Sequence, residues 1–340
     1  MKRKINVIMV SAVVALAISG CGSTKKEETT KKESTTVVET TTIEETTEEE
    51  TVAEKKVITD KNFVVGEDGN DLIEYKGDES VVEVPDGIEI INGAFVDNDK
   101  IEKIILPDSV KEIYAYSFKN LKNLKEVVFD QNVDAIEGGA FSKCPGIEEI
   151  VIPKGMNGIY YGAFGGCENL KKITVEEGSE NYVVDNEALF SKDMKTLLLY
   201  PVKCDKNKKF EIPEGVSVIY DDAFADNEFI EELVVKCDVV DGCDEGGSCQ
   251  NMKSLKSVVF ETAQTDNQPI SFAGCKKLES VVLADGTKYI GFGQFKDCKS
   301  LSKINFPSSL EGIGEDAFEG CSESITSKID KSLIKTEWTE

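Results

Sequence analysis

The side chains best suited to chemistry are ten cysteines and 64 carboxylates, and histidine is absent altogether. Without imidazole there is no serine–histidine or cysteine–histidine nucleophile pair and no histidine metal ligand. The sequence has neither a glycine-rich phosphate loop nor a Gly-x-Ser-x-Gly motif. A glycosidase-like carboxylate pair stays open in so acidic a chain, although the acidic residues recur at the fixed spacing of surface positions. The sequence therefore predicts a non-enzymatic protein without a cofactor.

A group of cysteines shares one position of a repeated pattern, three residues after a phenylalanine. They are Cys144, Cys167, Cys275, Cys298 and Cys321. Elsewhere the same position holds Asn98, Leu121, Asn227 and Met252. A position that accepts such different side chains fits a small buried slot rather than a metal-ligand set, so we expect stacked core thiols. Disulfides Cys144–Cys167 and Cys275–Cys298 stay open, because neighbouring coils would lie about 4.8 Å apart.

Cys237, Cys243 and Cys249 fall in an irregular copy that is rich in glycine and acidic residues. Their six-residue spacing is not that of a zinc ribbon and no histidine completes a site, so we expect no metal centre. A local disulfide such as Cys237–Cys243 stays open. Nearby carboxylates would suit Ca²⁺, although such a run is more often a solvated loop. They are Asp238, Asp241, Asp244 and Glu245.

The cysteines belong to a motif that reads Ala-Phe-x-x-Cys-x-x-Leu-x-x-Val-x-Leu in its cleanest form. Its phenylalanines recur every 23 residues wherever the array is regular, and we expect them to form the core together with the cysteine column. They are Phe95, Phe118, Phe141, Phe164, Phe224, Phe272, Phe295 and Phe318. Cys249 takes the phenylalanine position in its own copy.

Each unit contains a strand such as 124–129, a turn often opened by proline, and a Val/Leu-x-x-Ile segment. Proline ends the strand because it cannot donate to a ladder. A unit of 23 residues is long enough for a strand on one side of a coil and a turn or second short strand on the other. It is too short for a helix of about 12 residues with two loops. The sequence therefore predicts a β-rich repeat solenoid with a stacked parallel sheet and about nine to ten coils.

This repeat resembles the BspA-like (Treponema-type) leucine-rich repeats, whose units run Cys-x-x-Leu-x-x-Ile-x-Leu-Pro, then Leu/Val-x-x-Ile and Ala-Phe. The resemblance covers about residues 81–321. The stretch 182–201 is similar to the longer, insert-bearing repeat of such proteins, and we interpret it as a hairpin-like double unit with Lys192 and Asp193 in the turn. The resemblance implies adhesion at a bacterial surface, with host or community partners.

The first 20 residues are predicted to be a lipoprotein signal peptide. A positive n-region at 2–4 precedes an apolar h-region at 5–18, which is too short to span a membrane stably. The stretch 18–21 resembles a bacterial lipobox, so lipidation of Cys21 is expected; the alternative is an ordinary secretory signal with an incidental cysteine. The protein is then anchored by lipid to the outer side of the bacterial membrane.

The rest of the chain divides by composition. The segment after the signal peptide is rich in Thr, Glu and Lys, cannot bury enough apolar surface to fold, and is predicted to be a disordered stalk. The predicted boundaries are 21–56 for the lipidated cysteine and stalk, 57–80 for an N-terminal capping unit, 81–325 for the solenoid and 326–340 for a C-terminal cap or tail. Within the solenoid lie a longer unit at about 176–212 and an irregular unit at about 236–250.

The candidate partner-binding face lies on the strands. In Leu-x-x-Val-x-Leu the valine and final leucine point inward, so the residue between them points outward. This outward column is Ile105, Val128, Val151, Thr174, Val234, Val259, Val282 and Asn305. The column two residues earlier is charged or polar, and begins Lys103, Glu126, Glu149 and Lys172. Such a β-branched stripe fits a binding surface for an extended partner; the alternative is that β-branched residues simply favour sheets.

A third column, at the start of each strand, alternates in charge from coil to coil. It reads Glu102, Lys125, Glu148, Lys171, Glu231, Lys256 and Glu279. Each charge is flanked by opposite charges, so we expect a structural ladder that contributes a few tenths of a kcal/mol per pair and penalises a slip of register.

The net charge of −25 argues against nucleic acid as a partner, because no basic surface is available to displace counterions. The sequence predicts a surface-anchored binding or adhesion protein whose exposed sheet binds extracellular or host protein or glycan non-covalently. The alternatives are a structural scaffold of the cell envelope and a wall-directed hydrolase.

Overall fold

The computed structural model describes residues 58, 60–129, 132–241 and 247–338, without the side chains of 240 and 241. The predicted signal peptide, the lipidation site Cys21 and the stalk lie outside these residues. In chain order the strands are β1 (Phe63–Val65), β2 (Asp71–Tyr75), β3 (Val81–Glu83), β4 (Ile90–Ile91), β5 (Lys103–Ile105), β6 (Glu112–Ile113), β7 (Glu126–Val128), β8 (Ala135–Ile136), β9 (Glu149–Ile152), β10 (Gly158–Ile159), β11 (Lys172–Val175), β12 (Tyr182–Asp185), β13 (Ala188–Ser191), β14 (Thr196–Leu199), β15 (Lys209–Ile212), β16 (Val218–Ile219), β17 (Glu232–Val235), β18 (Val240–Asp241), β19 (Ser257–Phe260), β20 (Ser280–Val282), β21 (Tyr289–Ile290), β22 (Lys303–Ile304), β23 (Gly312–Gly314) and β24 (Ile334–Lys335).

The strands stack into a β-solenoid of about 11 turns, with equivalent strands about 23 residues apart. The turn number exceeds the predicted nine to ten, and β1, β2 and β24, which lie outside the predicted solenoid bounds of 81–325, join the array. At the N-terminal end, β1 and β2 form an antiparallel hairpin, and β2 pairs in parallel with β4. At the other end, β24 pairs in parallel with β23.

The first sheet consists of the longer strand of each coil and is stacked in parallel, as the sequence predicts. It has three segments, in the orders β3-β5-β7, β9-β11 and β15-β17-β19-β20-β22. Neighbouring strands align at the repeat period, as Lys103 opposite Glu126 and Lys172 opposite Glu149 illustrate. The stacked parallel sheet is confirmed, but it is interrupted twice.

The second sheet lies on the other side of the coil, where the Val/Leu-x-x-Ile segments form short parallel strands. Its orders are β2-β4-β6-β8-β10, then β14-β16-β18, and finally β21-β23-β24. The isoleucines of these segments point into the core, and Ile91, Ile113 and Ile136 have no exposed surface. Of the two arrangements expected for this side, a turn or a second strand, the strand is present.

The predicted double unit is an antiparallel meander of β12, β13 and β14. Lys192 and Asp193 lie in the turn between β13 and β14, as predicted, and Asp193 accepts hydrogen bonds from the Ser191 hydroxyl and the Lys195 amide. The residue that follows β14, Tyr200, is fully buried and stacks on Phe224 with the ring centroids 5.6 Å apart. Tyr200 thus takes the phenylalanine position next to the insert, which the sequence analysis did not identify.

The phenylalanine column forms the core. Consecutive rings from Phe95 to Phe164 stack with centroids 4.8–5.5 Å apart, and Phe272, Phe295 and Phe318 stack at 5.8 and 5.5 Å. The predicted core phenylalanines are all buried, and Cys249 is buried in the phenylalanine position of its own coil. Because each ring covers the next, every coil buries the apolar face that its neighbour would otherwise expose.

The C-terminal residues cover the last coil. A one-turn helix α1 (Glu323–Thr326) buries Ile325, and a short 3-10 turn at Lys331–Leu333 leads into β24. The Trp338 ring then packs on Tyr289 and Phe292, with centroids 5.4 and 5.2 Å away.

Candidate binding surface

The outward column of the first sheet is mostly half-buried. Ile105, Val128, Val151, Thr174 and Val259 are partly exposed, and Val282 has 49% of its surface exposed. The strands place these side chains in one row because equivalent residues pair directly, for example Ile105 with Val128 and Val151 with Thr174. The row is therefore an aliphatic stripe whose outer half meets solvent.

Val234 departs from the predicted face, because only 6% of its surface is exposed. It is flanked in register by Glu211 and Val259. Lys236, two residues further on, reaches Glu211 at 2.5 Å. Hydrogen bonds from Lys209 and Lys236 lower the pKa of the Glu211 carboxyl to about 2, so this carboxylate stays charged and holds Lys236 beside the valine. Val234 is therefore removed from the exposed set.

Asn305 is exposed but does not simply face outward. Its Nδ2 donates to the Leu283 carbonyl at 2.8 Å and its Oδ1 accepts from the Leu283 amide at 2.7 Å. Both bonds continue the ladder beyond the end of β22. This side chain stabilises the sheet by joining the last two coils.

The charged residues form ion pairs between neighbouring coils, as the predicted ladder requires, but each pair stands apart from the next. In the third column, Glu102 contacts Lys125 at 2.6 Å, and Glu148 contacts Lys171 at 2.8 Å. Farther along the column, Lys256 contacts Glu231 at 2.5 Å. These pairs are solvent-exposed, so each contributes little to stability and mainly fixes register.

The first sheet is open between β7 and β9, and both strands lie wholly in the described part of the chain. No ladder pairs Glu126–Val128 with β9, although Phe129, directly after β7, forms a single bridge and the coils on either side are joined in the regular way. The Lys125 amide donates to the Glu102 carbonyl at 2.8 Å, and the Lys171 amide donates to the Glu148 carbonyl at 2.8 Å. The corresponding bond from the Glu148 amide to Lys125 is missing within these described strands. The second sheet stays continuous here, since β8 pairs with β10.

The residues at this break oppose pairing. Asn123 and Asn169 each donate a side-chain hydrogen bond to the preceding coil, to the Asp99 and Pro145 carbonyls at 2.6 and 2.8 Å. The intervening coil has Gly146 in that position and cannot make the bond. From the sequence these columns are predicted to bind a partner, and the break between them is not evident.

The charged residues at the break also oppose pairing of β7 with β9. Glu126 and Glu149 follow each other in the charged column, and like charges in facing positions disfavour pairing. Each instead binds the lysine on its far side, Lys103 at 2.5 Å and Lys172 at 3.4 Å.

A cleft of about 650 Å³ lies at the break. Its rim carries Lys125, Glu126, Glu148 and Glu149, and its walls are formed by Val127 and Val151, among other residues. Beneath the rim lie the core rings Phe129, Phe141 and Phe164, which remain buried. The break thus combines unpaired strand edges, paired charges at the rim and an apolar floor.

The cysteine column consists of buried thiols, as predicted, with Cys321 only partly buried. Each Sγ donates to the carbonyl of the residue 26 positions earlier, for example Cys144 to Phe118 at 2.9 Å and Cys298 to Phe272 at 3.2 Å. Burial raises the pKa of the Cys144 and Cys275 thiols to about 12. Asn227 makes the equivalent bond with its amide, to the Pro201 carbonyl at 3.2 Å. Such thiols serve packing rather than nucleophilic chemistry.

The cysteines of the described residues are free thiols, so the bridges Cys144–Cys167 and Cys275–Cys298 are not formed. Cys237 is buried and free, whereas Cys243, Asp244 and Glu245 lie outside the described residues, as does the side chain of Asp241. Asp238 accepts hydrogen bonds from the amide and hydroxyl of Thr265. Within the described ranges, no three potential metal ligands come together.

The family model described as BspA type leucine-rich repeat region matches the chain in six copies, over residues 88–199, 202–276 and 265–338. The chain belongs to the BspA-type leucine-rich repeat family. This family consists of repeat proteins and is not an enzyme family. No helix of the described residues is long and apolar enough to cross a membrane.

Solved structures of bacterial leucine-rich repeat proteins resemble the BspA-type chain. A protein from Eubacterium ventriosum is 23% identical over 75% of this chain and 85% of its own, with a TM-score of 0.49. A leucine-rich cell surface protein from Faecalibacterium prausnitzii is 20% identical over 84% and 99%, with a TM-score of 0.43. The pneumococcal vaccine antigen PcpA is 18% identical over 81% and 80%, with a TM-score of 0.50, which shows a shared fold alone. No curated protein matches the chain in sequence.

Proposed function

We propose that this protein is a bacterial surface protein that binds macromolecules without catalysis, through the outward face of its first sheet. Its membership of the BspA-type repeat family supports a binding role, because this fold presents an extended surface rather than a catalytic centre. The sequence around Cys21 supports a lipid anchor that holds the array outside the membrane.

The break between β7 and β9 is the observation that carries this proposal. Backbone N–H and C=O groups at this break can bond an extended segment that lies across the cleft, since main-chain hydrogen bonding is a common mode of peptide recognition. The cleft is lined by Val127 of β7 and by Val151 of the outward column, and it has an apolar floor. Of the two partner classes expected from the sequence, an extended protein segment is therefore favoured over a glycan at this face.

The charges at the break specify this segment further. A segment lying across the mouth of the cleft would place one side chain near Glu126 and Glu149, which are bound to lysines only on their far sides. A lysine or arginine there would restore the alternation of the charged column. The neighbouring side chains of that segment, which would face Val127 and Val151 in the cleft wall, would be apolar.

A peptide pair tests this mode of binding. The first is a nine-residue peptide that alternates threonine and valine, with lysine as the central outward residue, and the second carries glutamate in place of that lysine. Fluorescence anisotropy with the full-length chain is expected to give binding of the lysine peptide at least about tenfold tighter, a difference of about 1.4 kcal/mol.

Variants of the outward column provide the matched comparison. Val128→Lys and Val151→Lys flank the break and are expected to weaken peptide binding, whereas Val259→Lys occupies the same column in the paired third segment and is expected to leave it unchanged. If both peptides bind equally well, or if all three variants weaken binding equally, the proposed binding of an extended segment at this cleft is contradicted. Absence of any binding would favour the structural scaffold.

The lipid anchor is tested separately. Intact-mass and peptide mass spectrometry of the protein isolated from membranes is expected to find a diacylglyceryl group on Cys21 as the mature N-terminus. A soluble product cleaved at another site, with an unmodified cysteine, would contradict the anchor and leave the binding face untouched.

A further inference from the structure

A second cleft, which we call the tyrosine cleft, lies at the turns that follow the second sheet, next to the insert. Its volume is about 570 Å³, and its lining includes Tyr116, Gly139, Ser142, Tyr161, Gly162 and Asp222. These turns are distinct from the outward face of the first sheet. Nothing in the repeat pattern requires aromatic residues there.

Tyr116 has an unusual backbone conformation for its residue type. It lies two residues before the phenylalanine of its coil, with φ of 63°; at equivalent positions Gly93, Gly139, Gly162 and Gly293 have φ of 58–69°, and Asp222 has φ of 59°. The left-handed region is disfavoured for a bulky L residue, and burial does not compensate, since 52% of the Tyr116 surface is exposed. Tyr116 is thus a bulky, half-exposed residue at a position where glycine recurs, which makes it a candidate for a functional role.

Tyr161 adds a second exposed ring to the cleft. Half of its surface is exposed, at 50%, and its ring meets Tyr220 edge-on with the centroids 6.4 Å apart. Lys119 Nζ lies over the Tyr116 ring, 4.6 Å from its centroid, and Lys143 also lines the cleft. The Tyr116 ring therefore already has a lysine ammonium over its face.

Glycines form the floor between the two rings. A Cβ on Gly139 would lie 2.5 Å from Tyr116 Cε1, and a Cβ on Gly165 would lie 2.7 Å from Asp222 Oδ2. Above Gly162, by contrast, a Cβ would have no atom within 4 Å. The floor is thus flat and open beside the rings, and the glycines keep it so.

Polar groups complete the cleft. Asp222 accepts a hydrogen bond from Gln250 Nε2 at 3.2 Å, and burial raises the pKa of its carboxyl. Ser142 Oγ is buried and has no hydrogen-bond partner among the described residues. Asp222 can exchange hydrogen bonds with hydroxyls of a ligand.

We propose that the tyrosine cleft binds an uncharged saccharide, stacked against Tyr116 and Tyr161 and hydrogen-bonded to Asp222. Aromatic walls with a few convergent polar groups are the usual composition of a ligand site, and the volume falls in the usual range. The lining carries the carboxylates Glu137, Asp221 and Asp222 beside one lysine, Lys143, so an anionic ligand is disfavoured. Lys119 Nζ already lies over the Tyr116 ring, where a ligand cation would otherwise bind. A neutral ring bearing hydroxyls meets neither obstacle.

Calorimetric titration of the full-length chain with neutral trisaccharides of glucose, mannose, galactose and N-acetylglucosamine tests the proposal. At least one is expected to bind at millimolar or lower concentration, and Tyr116→Gly and Tyr161→Ala are each expected to weaken it about tenfold. Tyr116→Gly introduces the residue of the neighbouring coils, so its unfolding midpoint is expected to stay at or above that of the native chain.

The control variant is Phe292→Ala. Phe292 is also an exposed aromatic residue and occupies the position equivalent to Tyr161, directly before a glycine, in a distant coil. It is expected to leave saccharide binding unchanged. No binding of any trisaccharide at about 10 mM, or binding that survives both tyrosine variants, would overturn the proposal.

An acetylated trilysine peptide provides a third outcome. If it binds more tightly than every saccharide, the saccharide proposal is overturned in favour of a cation site. Peptide pairing at the first sheet is measured with other ligands and other variants. Failure of either proposal is therefore distinguishable from failure of the other.

Discussion

At the scale of the residue, the repeat assigns one task to each column. The phenylalanine rings stack from coil to coil, and the side chain three residues later returns a hydrogen bond to the preceding coil, whether it is Cys144 to Phe118 or Asn227 to Pro201. Leu121 and Met252 fill the same slot without that bond. Cysteine is tolerated there because it is small, apolar and a weak donor, and not because of its reactivity.

The burial of this column predicts a graded thiol reactivity. With its pKa raised from 9.0 to about 12, the Cys144 thiol has about a thousandfold less thiolate at pH 8 than an unperturbed thiol. Cys321, at the open end of the column, is only partly buried. Alkylation with iodoacetamide, followed by peptide mass spectrometry, is expected to modify Cys321 first and Cys144 only after urea unfolding. Equal labelling of both in the folded protein would contradict this.

At the scale of the element, the coil tolerates an unpaired strand because its other side holds it. Between β7 and β9 the first sheet opens, while β8 and β10 stay paired and the rings of Phe118, Phe141 and Phe164 remain stacked. Loss of one ladder therefore does not separate the coils. A solenoid can carry a strand-binding edge inside its array at a small cost, which an isolated sheet cannot.

The sequence predicts the fixed columns well and the interruptions poorly. Period, core phenylalanines and strand alternation follow from residue types that recur, and the structure has them where they are expected. The break was missed because it depends on Gly146 replacing an asparagine and on Glu149 following Glu126 in one column, which are small departures within a regular copy. Tyr116 was missed for a related reason, since a backbone in the left-handed region is not visible in a hydrophobic pattern.

Amide exchange can test the break directly. The Glu148 amide has no partner among the described strands, whereas the Lys171 amide is bonded at 2.8 Å, so Glu148 is expected to exchange at least about tenfold faster. Glu149→Lys places an opposite charge beside Glu126 and is expected to slow that exchange up to about fivefold. Glu232→Lys, in the same column of the paired third segment, is the control. Equal protection of the two amides, measured by NMR, would mean that the strands pair in solution.

At the scale of the whole molecule, the core consists of two buried clusters that meet at the insert. The first runs from Leu72 to Leu199, and the second from Ala188 to Ile325. In an array where each coil contacts mainly its neighbours, stability is close to a sum of local terms, so the two clusters can respond separately to a local defect. The antiparallel meander at the insert replaces the parallel ladder between them.

This division predicts that a local defect stays local. Trp338 is the single tryptophan and packs at the C-terminal end, so its fluorescence reports the second cluster, while far-ultraviolet circular dichroism reports the whole array. Phe118→Ala and Phe295→Ala each remove a fully buried stacked ring, at a cost of about 3–5 kcal/mol. In urea, Phe295→Ala is expected to lower the midpoint of the tryptophan transition, whereas Phe118→Ala is expected to leave that midpoint in place and to split the dichroism transition in two. If both variants instead shift both signals by the same amount, the array unfolds as one cooperative unit across the insert.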